Sequence, residues 1–523
     1  FSSSVNSIQN RFEILLYGCN VAAGEKGEAF VQKLSKLTKA NIAASTDLTG
    51  SVQKGGNWLL EYATGAIKTG LAIEPEVMAN YAHALATFLV TTTSDAGAGS
   101  LRDAITQANA TPAPPHNINF AIPGAGVQTI APLSILPNIN VPTIIDGTTQ
   151  GGLPGTPLIE INGAGAGAVS GFRVLAGGGG STLRGLIINR FGNTGISLES
   201  NGNTVAGNYI GTNAAGTAAS ANALFGVAVQ NGGSNNIIGG IAPGDRNLVS
   251  GNGADGIIIV GGTGGNQVLG NYVGTNAAGT AALPNVSGVT IVGVPNNTVS
   301  GNVISGNSNS GAVILSPGAT GNILTGNFIG TNFDGTAAVA NAAFGVAIQG
   351  GATNNTVGGT TPAARNIISG NGNGVALVDA ATTGNSLLGN FIGVAANGTT
   401  ALPNVTGVLI NLASNNAIGG TAAGQGNTIA SNLGSAVNIL AGTGNRIQNN
   451  SIFANAGLGI DLGNNGITPN DAGDADIGAN NLQNTPVLTT ATVSAGSATV
   501  AGTFNSTPST NFTLQFFTNT APG

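Results

Sequence analysis

The residues of this 523-residue chain that could do chemistry are few, and they stand near its two ends. Cys19 closes the apolar run ILLYGC, ahead of a helix-forming stretch. A helix N-terminus there lowers a thiol pKa and favours the nucleophilic thiolate. Two readings stay open for it: a nucleophile without its base, or a small buried hydrophobe ending a core strand. His83 falls in a helical pattern and His116 in the loop TPAPPHN, and neither is placed to serve Cys19 as a base. The one acidic cluster is Asp471, Asp474 and Asp476, with Asp461 nearby and Asn470 and Asn480 flanking. Carboxylate and amide oxygens at this density suit Ca²⁺, although the spacing is not that of an EF-hand loop. A solvated turn that uses Asp and Asn for local hydrogen bonds is the other reading.

Between 191 and 460 the charged residues are Glu199, Asp245, Arg246, Asp255, Asp334, Arg365, Asp379 and Arg446, and no His occurs there. A glycoside hydrolase needs two acids flanking the scissile bond. The isolated Asp255, Asp334 and Asp379 offer no such pair, unless stacking of the chain brings Asp255 and Asp379 together. The run GAGAGA at 163–168 lacks the preceding strand and following helix of a nucleotide loop.

The elements that would position these groups are repetitive. GNYIGTNAAGT at 207–217 recurs as GNYVGTNAAGT at 270–280, GNFIGTNFDGT at 326–336 and GNFIGVAANGT at 389–399, at intervals of 63, 56 and 63 residues. Fixed-period self-similarity marks a repeat architecture, here of two coils per copy. A Gly-apolar-x-apolar pattern recurs every coil, as GISL, GVAV, GIII and GVTI, and NxIxGN signals fall between its copies. Three short strands per turn with Gly and Asn at the corners describe a right-handed parallel β-helix of about ten to eleven coils. A leucine-rich repeat would need a helix per unit, and a propeller would need hairpins. The pairs Asn235-Asn236, Asn296-Asn297, Asn354-Asn355 and Asn415-Asn416 recur at one place, as a hydrogen-bonded ladder along the axis requires. The Phe and Tyr of the undecapeptides are expected to point inward.

Composition narrows the function. Charged residues are 7% and Gly numbers 86, while 41% of residues are hydrophobic, so the chain is neither disordered nor collagen-like. A net charge of −6 with 14 Lys+Arg removes the electrostatic basis for nucleic-acid binding. No apolar run reaches the ~18 residues of a membrane span. The single Cys excludes an intrachain disulfide. The chain opens on FSSSVNS and stops at TNTAPG, and so reads as a piece of a longer protein.

Four regions are expected. Residues 1–90 carry α/β patterning: a strand at ILLY, a helix with Phe30, Val31, Leu34 and Leu37, strands at 41–45 and near 58–62, and a second helix marked by Val77, Tyr81, Leu85 and Phe88. Residues 91–160 are a junction. In it Ser100 and Asp103 open a helix that covers the end of the coils with Leu101, Ala104, Ile105 and Ala108. Residues 161–483 are the β-helix, and 484–523 begin a β-sandwich-like segment.

The motifs DAGAGSLRDAI, INFAIPGAG and TIIDGTTQGG resemble the CSLREA-type segment that precedes parallel β-helices in large bacterial secreted and surface proteins. Gly99 stands in place of its Cys, and Asp103 in place of its Glu. Residues 11–67, with ILLYGCNVAAGEKGEAF, ASTDLTG and GGNWLLEY, resemble the C-terminal half of a domain of unknown function at the N-termini of such proteins. That domain looks similar to caspase–gingipain cysteine peptidases. The resemblance implies Cys19 as nucleophile, with its His partner upstream of this chain. The leading expectation is therefore a secreted or cell-surface rod acting in adhesion and contacting glycans or matrix. A self-processing cysteine peptidase with a β-helix stalk is the alternative, and a polysaccharide lyase or hydrolase a weaker one.

Overall fold

The structure is a computed structural model that describes residues 12–17, 21–47, 49–50, 57–70, 74, 76, 78, 87–112, 114–151 and 156–516. Two bodies of structure are built from it. The smaller is a three-stranded sheet of Glu13–Leu16, Asn41–Ala44 and Tyr62–Ala63, the first two strands parallel, joined by the helix Gly24–Thr38. Its core is Ala22, Val31, Ala40, Ile42 and Ala44, with Leu34 packed against it. Phe30 and Leu37 point to solvent instead. At about 100° per residue they flank the Val31–Leu34 stripe rather than join it.

The larger body is a right-handed parallel β-helix. Among the described residues its three sheets hold 13, 12 and 11 strands, and every strand pairs in parallel with the equivalent strand of the next coil. Short connections between parallel strands of successive sheets impose this winding, and the hand is the one parallel crossovers adopt. Each strand turns one or two apolar side chains inward. In the first sheet these are Leu183, Val205, Ile238, Val268, Val299 and Leu324; in the second, Ile188, Ile210, Val249, Val273, Ile304 and Ile329. In the third, pairs such as Ile196 with Leu198 and Val227 with Val229 complete one continuous core.

The coils start earlier than residue 161. Thr87–Val90 and His116–Phe120 already pair in the first sheet, with Thr143–Asp146 following. Phe88, expected on a helix, therefore lies in a strand; Val77, Tyr81 and Leu85 fall outside the described residues. The helix Leu101–Ala110 is capped as its sequence implies: the Ser100 side chain accepts from the Asp103 N–H at 3.1 Å. It buries Leu101, Ala104, Ile105 and Ala108 against the first coils. At the other end Ala479 and the partly buried Leu482 pack on the last coil. Val487–Ser494 and Ser497–Thr503 then form an antiparallel hairpin that is almost wholly exposed.

Candidate functional site

Hydrogen-bonded asparagines define all three corners of the coil. The first ladder runs Asn203, Asn236, Asn266, Asn297, Asn322, Asn355, Asn385, Asn416 and Asn445, each side-chain amide donating to the next Oδ1 at 2.8–3.2 Å. The second runs from Asn208 through Asn247, Asn271, Asn302, Asn327, Asn366, Asn390 and Asn427 to Asn450. The third runs from Asn222 through Asn252, Asn285, Asn307, Asn341, Asn371, Asn404 and Asn432 to Asn455. Asn302 shows the full pattern. Its Oδ1 accepts from the N–H and the Nδ2 of Asn271, while its own N–H and Nδ2 donate to Asn327 and its Nδ2 also reaches the Val268 carbonyl. Buried amides this completely satisfied fix the coil spacing without any charge.

The Asn-Asn pairs divide the work. The second Asn of each enters the first ladder, while the first Asn takes the left-handed backbone at φ 54–56°. In the alternate coils Gly265, Gly321, Gly384 and Gly444 hold that left-handed place, each followed by a ladder Asn.

The aromatic residues of the undecapeptides are not in the core. Tyr209, Tyr272, Phe328 and Phe391 stand on the outer face of the second sheet, in one column that alternates with Leu248, Val303 and Ile367. The period of two puts them opposite the inward Ile210, Val273, Ile329 and Ile392. The rest of each undecapeptide folds back over the column. Leu248, Tyr272 and Val303 are thereby buried as a separate cluster, with Tyr209, Ala277 and Phe328 against it. Burial raises the pKa of the Tyr209 hydroxyl. The Arg246 guanidinium lies 4.1 Å from the Tyr272 ring centroid, and Arg365 lies 4.0 Å from that of Phe391. The loops also stack on one another: the N–H of Ala277, Phe333 and Ala396 donates to the carbonyl of Gly216, Gly279 and Gly335.

The expected chemistry-bearing residues are spread apart. Cys19 and His83 lie outside the described residues. His116 is fully buried in a strand, edge-on to Phe88, with its Nε2 on the Thr111 carbonyl at 3.0 Å. Stacking separates Asp255 from Asp379 rather than joining them. Four coil steps lie between their strands, about 19 Å at 4.8 Å per step. Asp334 is turned onto its own loop by Thr336, whose hydroxyl holds the carboxyl below its usual range.

Among the described residues the acids that meet are Asp471, Asp474 and Asp476, each with one oxygen within 4.8 Å of the others. Asp474 is engaged, accepting from the Gln483 amide at 2.6 Å, the Asn484 N–H at 2.8 Å and the Ser506 hydroxyl. Asp471 Oδ1 and Asp476 Oδ1 are inaccessible and have no donor. Asp461 is not in this group; it sits on the last strand of the third sheet. The flanking amides are also committed elsewhere, Asn470 to Thr485 and Asn480 to the end of the first ladder.

The DUF4347 family, a domain of unknown function, matches residues 1–85. No curated protein matches the chain. Among solved structures the chain is similar to the Dettilon tailspike protein, at 14% identity over 76% of this chain and 71% of that one, with a TM-score of 0.41. PfbA, a surface adhesin of Streptococcus pneumoniae, matches at 11% identity over 80% and 99%, TM-score 0.40. Pectate lyase Pel9A matches at 14% identity over 75% and 84%, TM-score 0.28. None of these likenesses bears on activity.

Proposed function

We propose that this chain is the rigid rod of a secreted or cell-surface bacterial protein, acting in adhesion by contact with glycans or matrix. The observation that supports this most is the set of three continuous asparagine ladders. They stiffen the nine coils from Asn203 to Asn455 and leave faces of Thr, Ser, Gly and small apolar residues, with the array's acids dispersed. Twelve steps across the 13-stranded sheet give a rod of about 58 Å. No helix among the described residues is long and apolar enough to cross a membrane. The test is adhesion of the purified chain to cells, matrix components and a glycan panel, with small-angle scattering to check the rod length. Absence of binding to every surface tested would leave it a spacer and overturn the adhesive reading.

Calcium at Asp471, Asp474 and Asp476 is the second reading, favoured by the two buried carboxylate oxygens that lack donors. An ion there would tie the segment after the last coil to itself. The peptidase reading rests on Cys19, and labelling by a thiol-directed probe in the chain extended upstream, with Cys19→Ala as control, decides it.

A further inference from the structure

The described arginines divide sharply. Arg102, Arg173, Arg184 and Arg190 pair with Asp95, Glu199, Asp146 and Glu160. Arg246 and Arg365 stack on rings and donate to the carbonyls of Gly270 and Gly389. Among the described residues only Arg446 has no ion pair, hydrogen bond or ring contact for its guanidinium. It lies on Arg446–Gln448, the last strand of the first sheet, so Arg446 and Gln448 share the outer face.

That face lines a cavity of about 540 Å³ between the last coil and the segment that follows the hairpin. Asn481 and Gln448 line it too, and among the described residues neither side chain has a hydrogen-bond partner. The opposite wall carries Phe504 and Phe512, edge-to-face at 5.1 Å between centroids. The two walls are tied by a reciprocal pair, Gln515 Oε1 accepting from the Asn449 N–H at 3.0 Å and Gln515 Nε2 donating to Asn449 Oδ1 at 2.6 Å.

We propose that this cavity binds an acidic sugar residue, which deepens the glycan-contacting reading above and rests on it. The volume is that of a small-ligand site. Arg446 presents a planar fork that matches one carboxylate, and among the described residues no anion pairs with it. The free amides of Gln448 and Asn481 donate and accept at once, which is what sugar hydroxyls require. Phe512 offers a partly exposed apolar face for the pyranose ring. An acidic peptide would match Arg446 alone, and a second negative charge would find no further cation in the lining.

The test is calorimetric titration of the full chain with trigalacturonate, its methyl ester, sialyllactose and triglutamate. Trigalacturonate or sialyllactose binding, weakened at least tenfold by esterification or removal of the carboxylate and by R446Q, is expected. The arm that binds identifies the source as a uronate polymer or a sialylated glycan. Arg446 is exposed, so R446Q should keep its circular dichroism; Q448A with N481A supplies a second variant with the cation retained, and it too should weaken binding. Absence of binding by both sugars, equal binding of the ester, undiminished binding by R446Q, or triglutamate binding as tightly as the sugars overturns the proposal. Absence of sugar binding at the cavity while the chain still adheres to cells or matrix removes this proposal and keeps the rod reading, so the two fail separately.

Discussion

The side-chain oxygen of Asn235 occupies the space in which a Cβ on Gly265, one coil further on, would have to lie. The same holds for Asn296 beneath Gly321, Asn354 beneath Gly384 and Asn415 beneath Gly444. An Asn in the left-handed corner therefore requires Gly in the next coil. This is a physical reason for a repeat two coils long.

Gly265→Ala should be costly on two counts. At φ 73° the alanine meets a left-handed backbone penalty of about 1–2 kcal/mol, and its methyl collides with Asn235. Asn235→Gly in the same chain removes the collision. The double variant should be more stable to urea than Gly265→Ala alone, and equal or lower stability would refute the steric account. Gly232→Ala, with nothing near its Cβ, should show the backbone cost only.

Asn302→Ala should destabilise the middle of the rod by about 3 kcal/mol, because it strands buried amide groups of Asn271 and Asn327. Hydrogen exchange should show faster opening in the coils around 268–330 than at the ends. Unchanged protection there would mean the ladder does not hold the coils together.

The Arg246–Tyr272 stack should contribute about 0.5–1 kcal/mol. A double-mutant cycle of Arg246→Ala with Tyr272→Leu measures it. A coupling energy indistinguishable from zero would assign the burial of the ring entirely to the loop above it.

Glu199 carries the pH prediction. Burial alone would raise its pKa, but hydrogen bonds from Asn231, Arg173 and Ser197 outweigh it and hold the carboxyl below its ordinary value. A depressed folded-state pKa means the unfolded chain binds the proton first as pH falls. The stabilisation is thus complete above the ordinary glutamate value of about 4.3 and is lost as pH drops through the folded value. Thermal midpoints of Glu199→Gln and the unmodified chain should converge in that acid range, and parallel curves would rule the ion pair out as their cause.

If Asp471 and Asp476 ligate calcium, millimolar Ca²⁺ should raise the melting temperature of the C-terminal segment, and Asp471→Asn with Asp476→Asn should abolish the rise. Equal shifts in both chains would locate calcium elsewhere.

Much of this was legible in the sequence, because inward apolar residues and corner Gly and Asn follow the coil period directly. The Asn-Asn pairs revealed one ladder; the other two were present in the second residue of each undecapeptide and at both ends of each NxIxGN signal. The aromatic residues misled, since apolar character does not tell the inner face of a strand from an outer face that a loop covers. Alternation did tell: Tyr209 and Ile210 are adjacent and must point opposite ways. The separation of Asp255 and Asp379 needed the count of coils between their strands. Arg446 gave no signal, because its cavity is walled by residues nearly seventy positions away.

Because both the corner side chains and the stacked loops alternate with the coil, a single coil cannot be deleted or inserted without setting Asn against Asn or Gly against Gly and breaking the stack of loops. Duplication and loss within this gene should therefore proceed by the pair, and related rods should differ in length by steps of about 10 Å.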